Sequence, residues 1–432
     1  MQYALYNAVL ACATPPARVW LALSRRHGRL RERFSPPVPE GTAGAVWVHA
    51  CSVGEVNTVR ALVPALRTRF PGAPILLTTS TMTGWEHALK TVQDTRFAWL
   101  PFDTRPAVRR FVGQVRPRVL ILVETEVWPN LVRETRRMGA PVVVVNARLS
   151  PRQFPAYRRF RWLLRPAFSM LSAVGAQNET YAARYQFLGT APEAVRVTGN
   201  VKFDAVRTEI DARARLELRI GCGYGADTPV LAFGSTRPGD EALAAACWRR
   251  LRDRFPDLRL VVAPRHAQRL AEALEPFQGE PVALRSDIVA GRAPRDARVL
   301  FVDTLGELVA FYSLAAVTVI GGSFFPGVDG HNPLESAALG VATVYGPHMG
   351  NFPEASEALL ARGGAVQVAG PEMLCETLEH LLSDPQACRA LGTLGRKAVL
   401  ENRGATDRNA DLVSAVVAAA QSADNGDTVH GG

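Results

Sequence analysis

The sequence predicts an α/β protein made of two parallel-sheet halves, and three observations carry that prediction. From Ala45 onward short β-branched runs alternate with helical stretches, the pattern of strands buried on both faces. The alternation lapses between Thr208 and Thr228, which holds few large apolar residues and ends in Gly-Cys-Gly-Tyr-Gly-Ala-Asp, and it restarts at Val230. Glycines and polar residues gather immediately after the strands, where open parallel sheets bind their ligands.

In the first half the expected strands are Ala45–Val48, Ile75–Thr78, Val119–Val123, Val142–Val145, Ala173–Ala176 and Val195–Val197. Helices are expected at Val56–Arg69, Arg105–Gln114, Leu131–Met138 and Tyr181–Leu188. In the second half the strands are Val230–Phe233, Leu258–Val262, Val299–Val302, Val317–Ile320, Ala342–Tyr345 and Ala365–Val368. The expected division is an N-terminal segment 1–34, a first domain 35–207, a linker 208–228, a second domain 229–422 and a disordered tail 423–432. A cleft between the halves follows from the pattern.

The 432 residues suffice for two or three domains, and 47 % hydrophobic with 21 % charged residues is ordinary for a globular chain. A net charge of +10 is not ordinary and points to an acidic partner. Six cysteines without Cys-x-x-Cys spacing offer no metal cluster or disulfide framework and suit a reducing compartment. Tyr3 to Leu23 is apolar but interrupted by Pro15-Pro16 and Arg18, too poor for a spanning helix. Arg25, Arg26, Arg29, Arg31 and Arg33 follow it, and an apolar segment with a basic cluster reads as an anchor to an anionic leaflet.

The chemistry-bearing residues then fall in order. After the first strand, Ser52 with Glu55 three residues on makes a capping box, and the same Glu55 is placed as a general base. The positive helix end is expected to keep that carboxylate ionised. A hydroxyl-rich loop, Thr78 to Thr83, follows the second strand; Glu124 and Glu126 follow the third, and buried carboxylates there are costly unless paired or functional. Asn146-Ala147-Arg148 and the arginines 152, 158, 159, 161 and 165 come next, then Gly199 to Asp204 with Lys202 facing negative charge. In the second half the post-strand residues are Ser235, then Pro264-Arg265, whose guanidinium suits a phosphate or a carboxylate, then Asp303 to Glu307. Last comes Gly321-Gly322-Ser323 with His331, Asn332 and Glu335, read as a nucleotide site in which Asn332 caps a helix Leu334–Leu339 and Glu335 accepts from ribose hydroxyls.

Seven motifs in this order, SVGE (52–55), ETEVWPN (124–130), NARLS (146–150), GNVKFD (199–204), APRH (263–266), DTLGEL (303–308) and GGSF…GHNPLE (321–335), resemble the Kdo transferases. These move 3-deoxy-D-manno-octulosonic acid (Kdo) from its CMP-activated form to a lipid A precursor. The resemblance spans about Ala45 to Arg362 and implies a GT-B glycosyltransferase fold, two Rossmann-like doubly wound domains facing a central cleft. It implies an inverting transfer with Glu55 as proton acceptor, supported by Lys202 and by Glu124 or Glu126. It implies no cofactor and no metal. Pro264, Arg265, Leu305, Gly306, Glu307, Asn332 and Glu335 would bind CMP. Ser52, Gly54, Thr83, Arg148, Ser235, Gly322, Ser323 and His331 would contact donor or acceptor. The implied partners are CMP-Kdo, a phosphorylated lipid A precursor and an anionic membrane surface, with no nucleic acid, at the cytoplasmic face of a bacterial inner membrane. The alternative is a GT-B glycosyltransferase or epimerase that uses a UDP-sugar.

Overall fold

A computed structural model describes residues 2–24 and 27–427, with side chains as far as Ser422. The chain forms two compact units: 1–205 together with 403–432, and 206–402.

Unit 1 carries strands β1 (Val46–His49), β2 (Ile75–Thr79), β3 (Arg96–Trp99), β4 (Val119–Val123), β5 (Val142–Ala147), β6 (Ala173–Ala176) and β7 (Val195–Val197). They pair in parallel in the order β3-β2-β1-β4-β5-β6-β7. Side chains alternate across the sheet, and both faces are covered. Trp47, Leu76, Leu120, Val142 and Val144 pack on the helices Arg105–Val115, Pro129–Arg137 and Glu179–Leu188. Val46, Leu77, Ile121 and Val143 pack on Val53–Arg69 and on the C-terminal helix Ala405–Asp427. That last helix crosses back from the end of unit 2, and Arg69 pairs with its Asp407 and Asp411 at 3.1 and 2.7 Å. The direction of strand progression reverses between β1 and β4, so the crevice beyond their carboxyl ends is the switch point of this sheet.

Unit 2 carries β8 (Val230–Thr236), β9 (Arg259–Pro264), β10 (Val282–Leu284), β11 (Val299–Phe301), β12 (Val317–Ile320), β13 (Ala342–Tyr345) and β14 (Val366–Gln367). Their order is β10-β11-β9-β8-β12-β13-β14, all parallel, with the switch point between β8 and β12. Leu231, Phe233, Leu260, Val262, Val317 and Val344 meet the helices Asp240–Leu251 and Leu374–Ser383.

Twelve strands lie where the sequence places them, within one to three residues. The two it misses, β3 and β10, are short, partly exposed sheet edges that hold one β-branched residue between them. The expected linker 208–228 is not a bare connector, since it holds the helix Ala212–Gly221, and Cys222 and Tyr224 are buried in unit 2. The tail boundary also moves. The segment from Arg403 belongs to unit 1 and is helical to Asp427, because Ala410, Leu412, Val413 and Val417 complete the apolar face behind β4 and β5; residues 428–432 lie outside those described. Cys247 and Cys375, 128 residues apart, are joined as a disulfide between two helices with Cα atoms 5.0 Å apart, a proximity that spacing could not reveal.

At the N-terminus the helix Gln2–Leu23 runs unbroken through Pro15 and Pro16. It is tied to unit 1 by buried polar groups. The Tyr6 hydroxyl donates to Asp103 (2.8 Å), and the amides of Asn7 and Asn130 exchange hydrogen bonds (2.8 and 3.2 Å). Arg133 lies 4.3 Å over the Tyr3 ring. Among the described residues no helix is long and apolar enough to cross a membrane.

Candidate active site

The switch-point crevice of unit 1 is built first by the turn out of β1. Ser52 caps the helix Val53–Arg69, accepting from the Glu55 N–H at 3.3 Å, and its hydroxyl donates to Glu55 Oε1 at 3.1 Å. Glu55 Oε2 accepts from the Cys51 N–H at 2.7 Å. The capping box is therefore real, and it also fixes the carboxyl in place. Its charge state departs from expectation. Burial first, then Glu124 and Glu126, pushes Glu55 up to about 8, which outweighs the Cys51 and Ser52 hydrogen bonds and the helix end.

Glu126 is held the other way. Burial raises it, but His49, Trp128 and Arg33 outweigh burial and keep it below its ordinary value. The Trp128 indole donates to Glu126 Oε2 at 2.9 Å, and His49 Nε2 lies 3.5 Å from the same oxygen. The other His49 nitrogen, Nδ1, is 3.0 Å from the Thr78 carbonyl, which orients the ring. Arg33 donates to the carbonyls of Leu100 (2.9 Å) and Ser80 (3.0 Å), so this arginine is spent inside unit 1 and is not offered to a leaflet. Two nearby carboxyls with their proton affinities driven apart provide one acid-base group and one permanent charge.

Glu124 sits at φ 59°, a conformation rare for a side chain with a Cβ. Tyr185 donates to its carbonyl at 2.6 Å and stabilises that turn. Cys51 Sγ and carboxylate oxygens of Glu55 and Glu126 all lie within 4.8 Å of one another, a three-atom cluster of ligand type that linear spacing did not show. Burial, then the charge of Glu126, holds the thiol protonated, up to about 11.

The motifs after β5 and β7 are one assembly. Asn146, at φ 51° in a break of β5 register, accepts from the Val201 N–H (3.1 Å), and its carbonyl accepts from the Gln177 amide (3.0 Å). Gln177 in turn accepts from Asn200 (3.0 Å), and Asn200 accepts from the Lys202 N–H (3.0 Å). Asn409, from the C-terminal helix, closes the network by accepting from Asn146 N–H (3.2 Å) and Thr198 (3.1 Å). The position of Lys202 thus depends on a residue more than two hundred positions away.

In unit 2 the post-strand loops sit in a row because β11, β9, β8 and β12 are neighbours. Ser235 takes φ 55° at the end of β8. Gly321 must be glycine, since a Cβ would lie 2.5 Å from the Ser235 carbonyl oxygen, and Gly234 likewise, since its Cβ would meet the Tyr312 hydroxyl at 1.8 Å. Asp240, buried, accepts through one oxygen from the N–H groups of Arg237 (2.8 Å) and Gly322 (2.6 Å) and so joins the β8 and β12 loops. His331 Nε2 accepts from Arg237 Nε at 3.3 Å; burial first, then Arg237 and Arg265, lowers it to about 4, so the ring is neutral. Burial raises Glu335, against the pull of Asn332 and of exposed Arg265.

Comparison with known proteins now bears on this pair of sites. A family model described as 3-deoxy-D-manno-octulosonic-acid transferase (kdotransferase) matches residues 27–205. The chain is 32 % identical to the 3-deoxy-D-manno-octulosonic acid transferase of Haemophilus influenzae, covering 94 % of this chain and 97 % of that one. The corresponding figures for the Bordetella pertussis transferase are 33 %, 95 % and 98 %. The chain belongs to the Kdo transferase family. It is accordingly a glycosyltransferase of lipopolysaccharide biosynthesis. Solved structures share the fold alone: a Neisseria meningitidis UDP-GlcNAc 2-epimerase (TM-score 0.57, 13 % identity, 86 % of this chain and 99 % of that one) and a Rickettsia africae glycosyltransferase (0.56, 10 %, 87 % and 98 %). The GT-B class of two parallel-sheet α/β units is the one expected.

Within this Kdo transferase the sequence-chosen residues divide into groups. Ser52, Glu55, Glu124 and Glu126 come together, and Arg265, His331, Asn332 and Glu335 come together. Lys202 and half-buried Arg148 follow other strands of the same sheet as the first group. Gly54 and Thr83 are exposed in the first turns of their helices. Ser323 is fully buried, its hydroxyl donating to the Ile320 carbonyl and accepting from the Gly346 N–H, so it shapes the loop and does not face a ligand. Glu307 is held by Arg285 (3.0 Å) and Thr304, and Asp303 accepts from Ser286 at 2.9 Å, so those carboxylates brace their loop. The tip, Leu305-Gly306, is open, with Leu305 90 % exposed beside Pro264-Arg265 in strand order. The helix at Glu335 is shorter than expected, Leu334–Ala337. Asn332 Oδ1 does accept from the Leu334 N–H at 3.1 Å, but Gly340 at φ 76° turns the chain at once into β13.

Sequence reasoning missed His49, Trp128, Asp240 and Asn409, and it assigned Arg33 to the basic anchor cluster. Trp128 lay inside a quoted motif. The others act through contacts between distant segments, for which the linear chain carries no signal.

Proposed function

We propose that the protein is an inverting transferase that moves Kdo from CMP-Kdo to a phosphorylated lipid A precursor of the lipid IVA type. The observation that carries the reading is Glu55, buried beside Glu124 and Glu126 with its proton affinity raised to about 8. In one displacement the acceptor hydroxyl oxygen bonds to the anomeric carbon of Kdo as the bond from that carbon to the phosphate oxygen breaks. CMP leaves with the electron pair, the configuration inverts, and the hydroxyl proton passes to Glu55. A base with a pKa near the working pH is suited to that step. Arg265 would take the charge developing on phosphate, with Lys202 and the Glu124/Glu126 pair supporting the sugar side.

The pH dependence tests it. The base must be unprotonated, so kcat/KM for CMP release with the lipid acceptor rises with pH and levels off above about 8. A profile flat from pH 5 to pH 9 would remove Glu55 from the proton transfer.

Nucleotide choice separates this reading from the UDP-sugar alternative, which the fold likeness to a UDP-GlcNAc 2-epimerase keeps in view. CMP is expected to protect the protein from heat and UDP is not. Arg265→Ala and Glu335→Ala are each expected to weaken CMP by roughly 1.5–3 kcal/mol, the loss of a charge-assisted hydrogen bond. Unchanged CMP affinity by calorimetry in both variants would move the nucleotide elsewhere.

The same reading places the protein on the cytoplasmic face of the inner membrane. Leu5, Val9, Val19, Trp20 and Leu23 are 47 to 79 % exposed on the N-terminal helix, and Arg29 and Arg31 are exposed beyond it; Arg25 and Arg26 lie outside the described residues. Each basic residue near an anionic surface contributes about 1 kcal/mol. Deleting the helix would remove Tyr6 from Asp103 and Asn7 from Asn130, so point changes serve better. Val9→Ser with Trp20→Ser is expected to reduce sedimentation with anionic vesicles, and salt to reduce it further. Equal, salt-insensitive binding by the variant and the parent would exclude the helix as the anchor.

A further inference from the structure

The N-terminal helix is apolar on more than its outer face. Its inner side, with Leu10 and Ala17, forms one wall of an open-mouthed cavity of about 240 Å³ in unit 1, lined also by Phe34, Leu100, Phe102 and Trp128. That is room for about eight water-sized volumes of ~30 Å³. Polar groups at its edge are already engaged. Asp103 accepts from Tyr6 and from the N–H groups of Asn130 and Leu131, and Arg33 donates to two carbonyls while lying 4.3 Å over the Phe102 ring. What remains is an apolar slot.

The slot abuts the catalytic residues. Trp128 lines it and donates to Glu126, and Ser80, also in its wall, accepts from Arg33 through its carbonyl. On its far side the same helix exposes Leu5, Val19 and Leu23. A helix with apolar residues on opposite sides, one exposed and one over a cavity, matches an element lying at a lipid surface.

We propose that this cavity receives one acyl chain of the lipid acceptor, drawn from the membrane beneath the N-terminal helix, while the sugar headgroup stands at Glu55. The proposal rests on the transferase reading above and adds a subsite to it. Continuity with the Glu126–Trp128 pair selects an acyl chain of the acceptor over a bulk lipid: a chain held here places its own headgroup near the base. The helix anchors, Tyr6 on Asp103 and Asn7 on Asn130, keep the slot formed.

The test uses the full chain and dodecanoic acid carrying a chain-end diazirine. Photolabelling is expected on peptides containing Leu10, Ala17 and Phe102, and Ala17→Phe, which fills the slot, removes it; Leu10→Phe serves if the first variant does not fold. Kinetically, Ala17→Phe raises KM for an acylated acceptor, relative to its de-acylated headgroup, by about tenfold, the loss of roughly two buried methylenes. Labelling confined to Leu5, Val19 and Leu23 and equal in both variants would overturn the proposal. Absence of CMP release with either acceptor would instead fail the transferase reading, and the labelling pattern would still decide the cavity.

Discussion

Glu55→Gln is expected to lose about 10²–10⁴ in kcat, the usual cost of removing a general base, while the variant melts higher than the parent. The two effects have one origin. Glu55 is driven up to about 8 by burial and by two neighbouring carboxylates, against an unfolded value of 4.5. Between those values the unfolded chain has released the proton that the folded protein keeps. The folded state then binds more protons, so its stability falls as pH rises through this window and levels off above about 8. Glutamine has no proton to lose. Its advantage should be absent below about pH 4.5, grow through neutrality and be full above about pH 8. Each kcal/mol recovered is worth about 2–4 °C for a unit of this size. The amide can still accept from the Cys51 N–H, so the cap survives. Wild-type turnover in the variant would reduce Glu55 to a capping residue, and a lower melting temperature would mean that its carboxylate supports the fold.

The raised affinity of Glu55 marks the boundary of what the linear chain could express. Position after β1 and spacing from Ser52 were legible, and both the cap and the site followed. The charge state was not, because it depends on Glu124 and Glu126, some seventy residues away, standing beside Glu55 once β4 pairs with β1. A local rule, the positive helix end, gave the wrong sign because the low-dielectric, like-charged surroundings are a larger effect. The sheets were legible for the opposite reason. Central strands such as Val119–Val123 are buried on both faces and so are written as runs of branched aliphatic residues, whereas the edge strands Arg96–Trp99 and Val282–Leu284 are shorter, partly exposed and hold one β-branched residue between them. The same distinction explains Ser323 and Glu307. Their residue types fit a ligand site, but each spends its polar atoms on a neighbouring protein segment, Ser323 on Gly346 and Glu307 on Arg285.

Asp240 leads to the second large effect, in unit 2. It opens the helix Asp240–Leu251, is 1 % exposed, and is the acceptor for both the Arg237 and the Gly322 N–H groups. Those two groups belong to loops from strands on either side of the switch point. The β8 loop brings Arg237 to His331, and the β12 loop leads into His331 and Glu335. Asp240 is thus a positioning residue for the proposed nucleotide site and touches no ligand itself. Asp240→Ala leaves a buried and a part-buried donor unpaired, at about 1–3 kcal/mol each, so unit 2 should lose roughly 2–6 kcal/mol of stability. With the loops released, CMP affinity should fall by about tenfold or more, since orientation is what their backbone contributes. Asp240→Asn keeps an acceptor oxygen and should recover most of the affinity, an outcome that a general loss of folding would not produce. Calorimetry with CMP on all three proteins, below their melting temperatures, decides it. Parental affinity in Asp240→Ala would show that the β8 and β12 loops hold their register without the carboxylate.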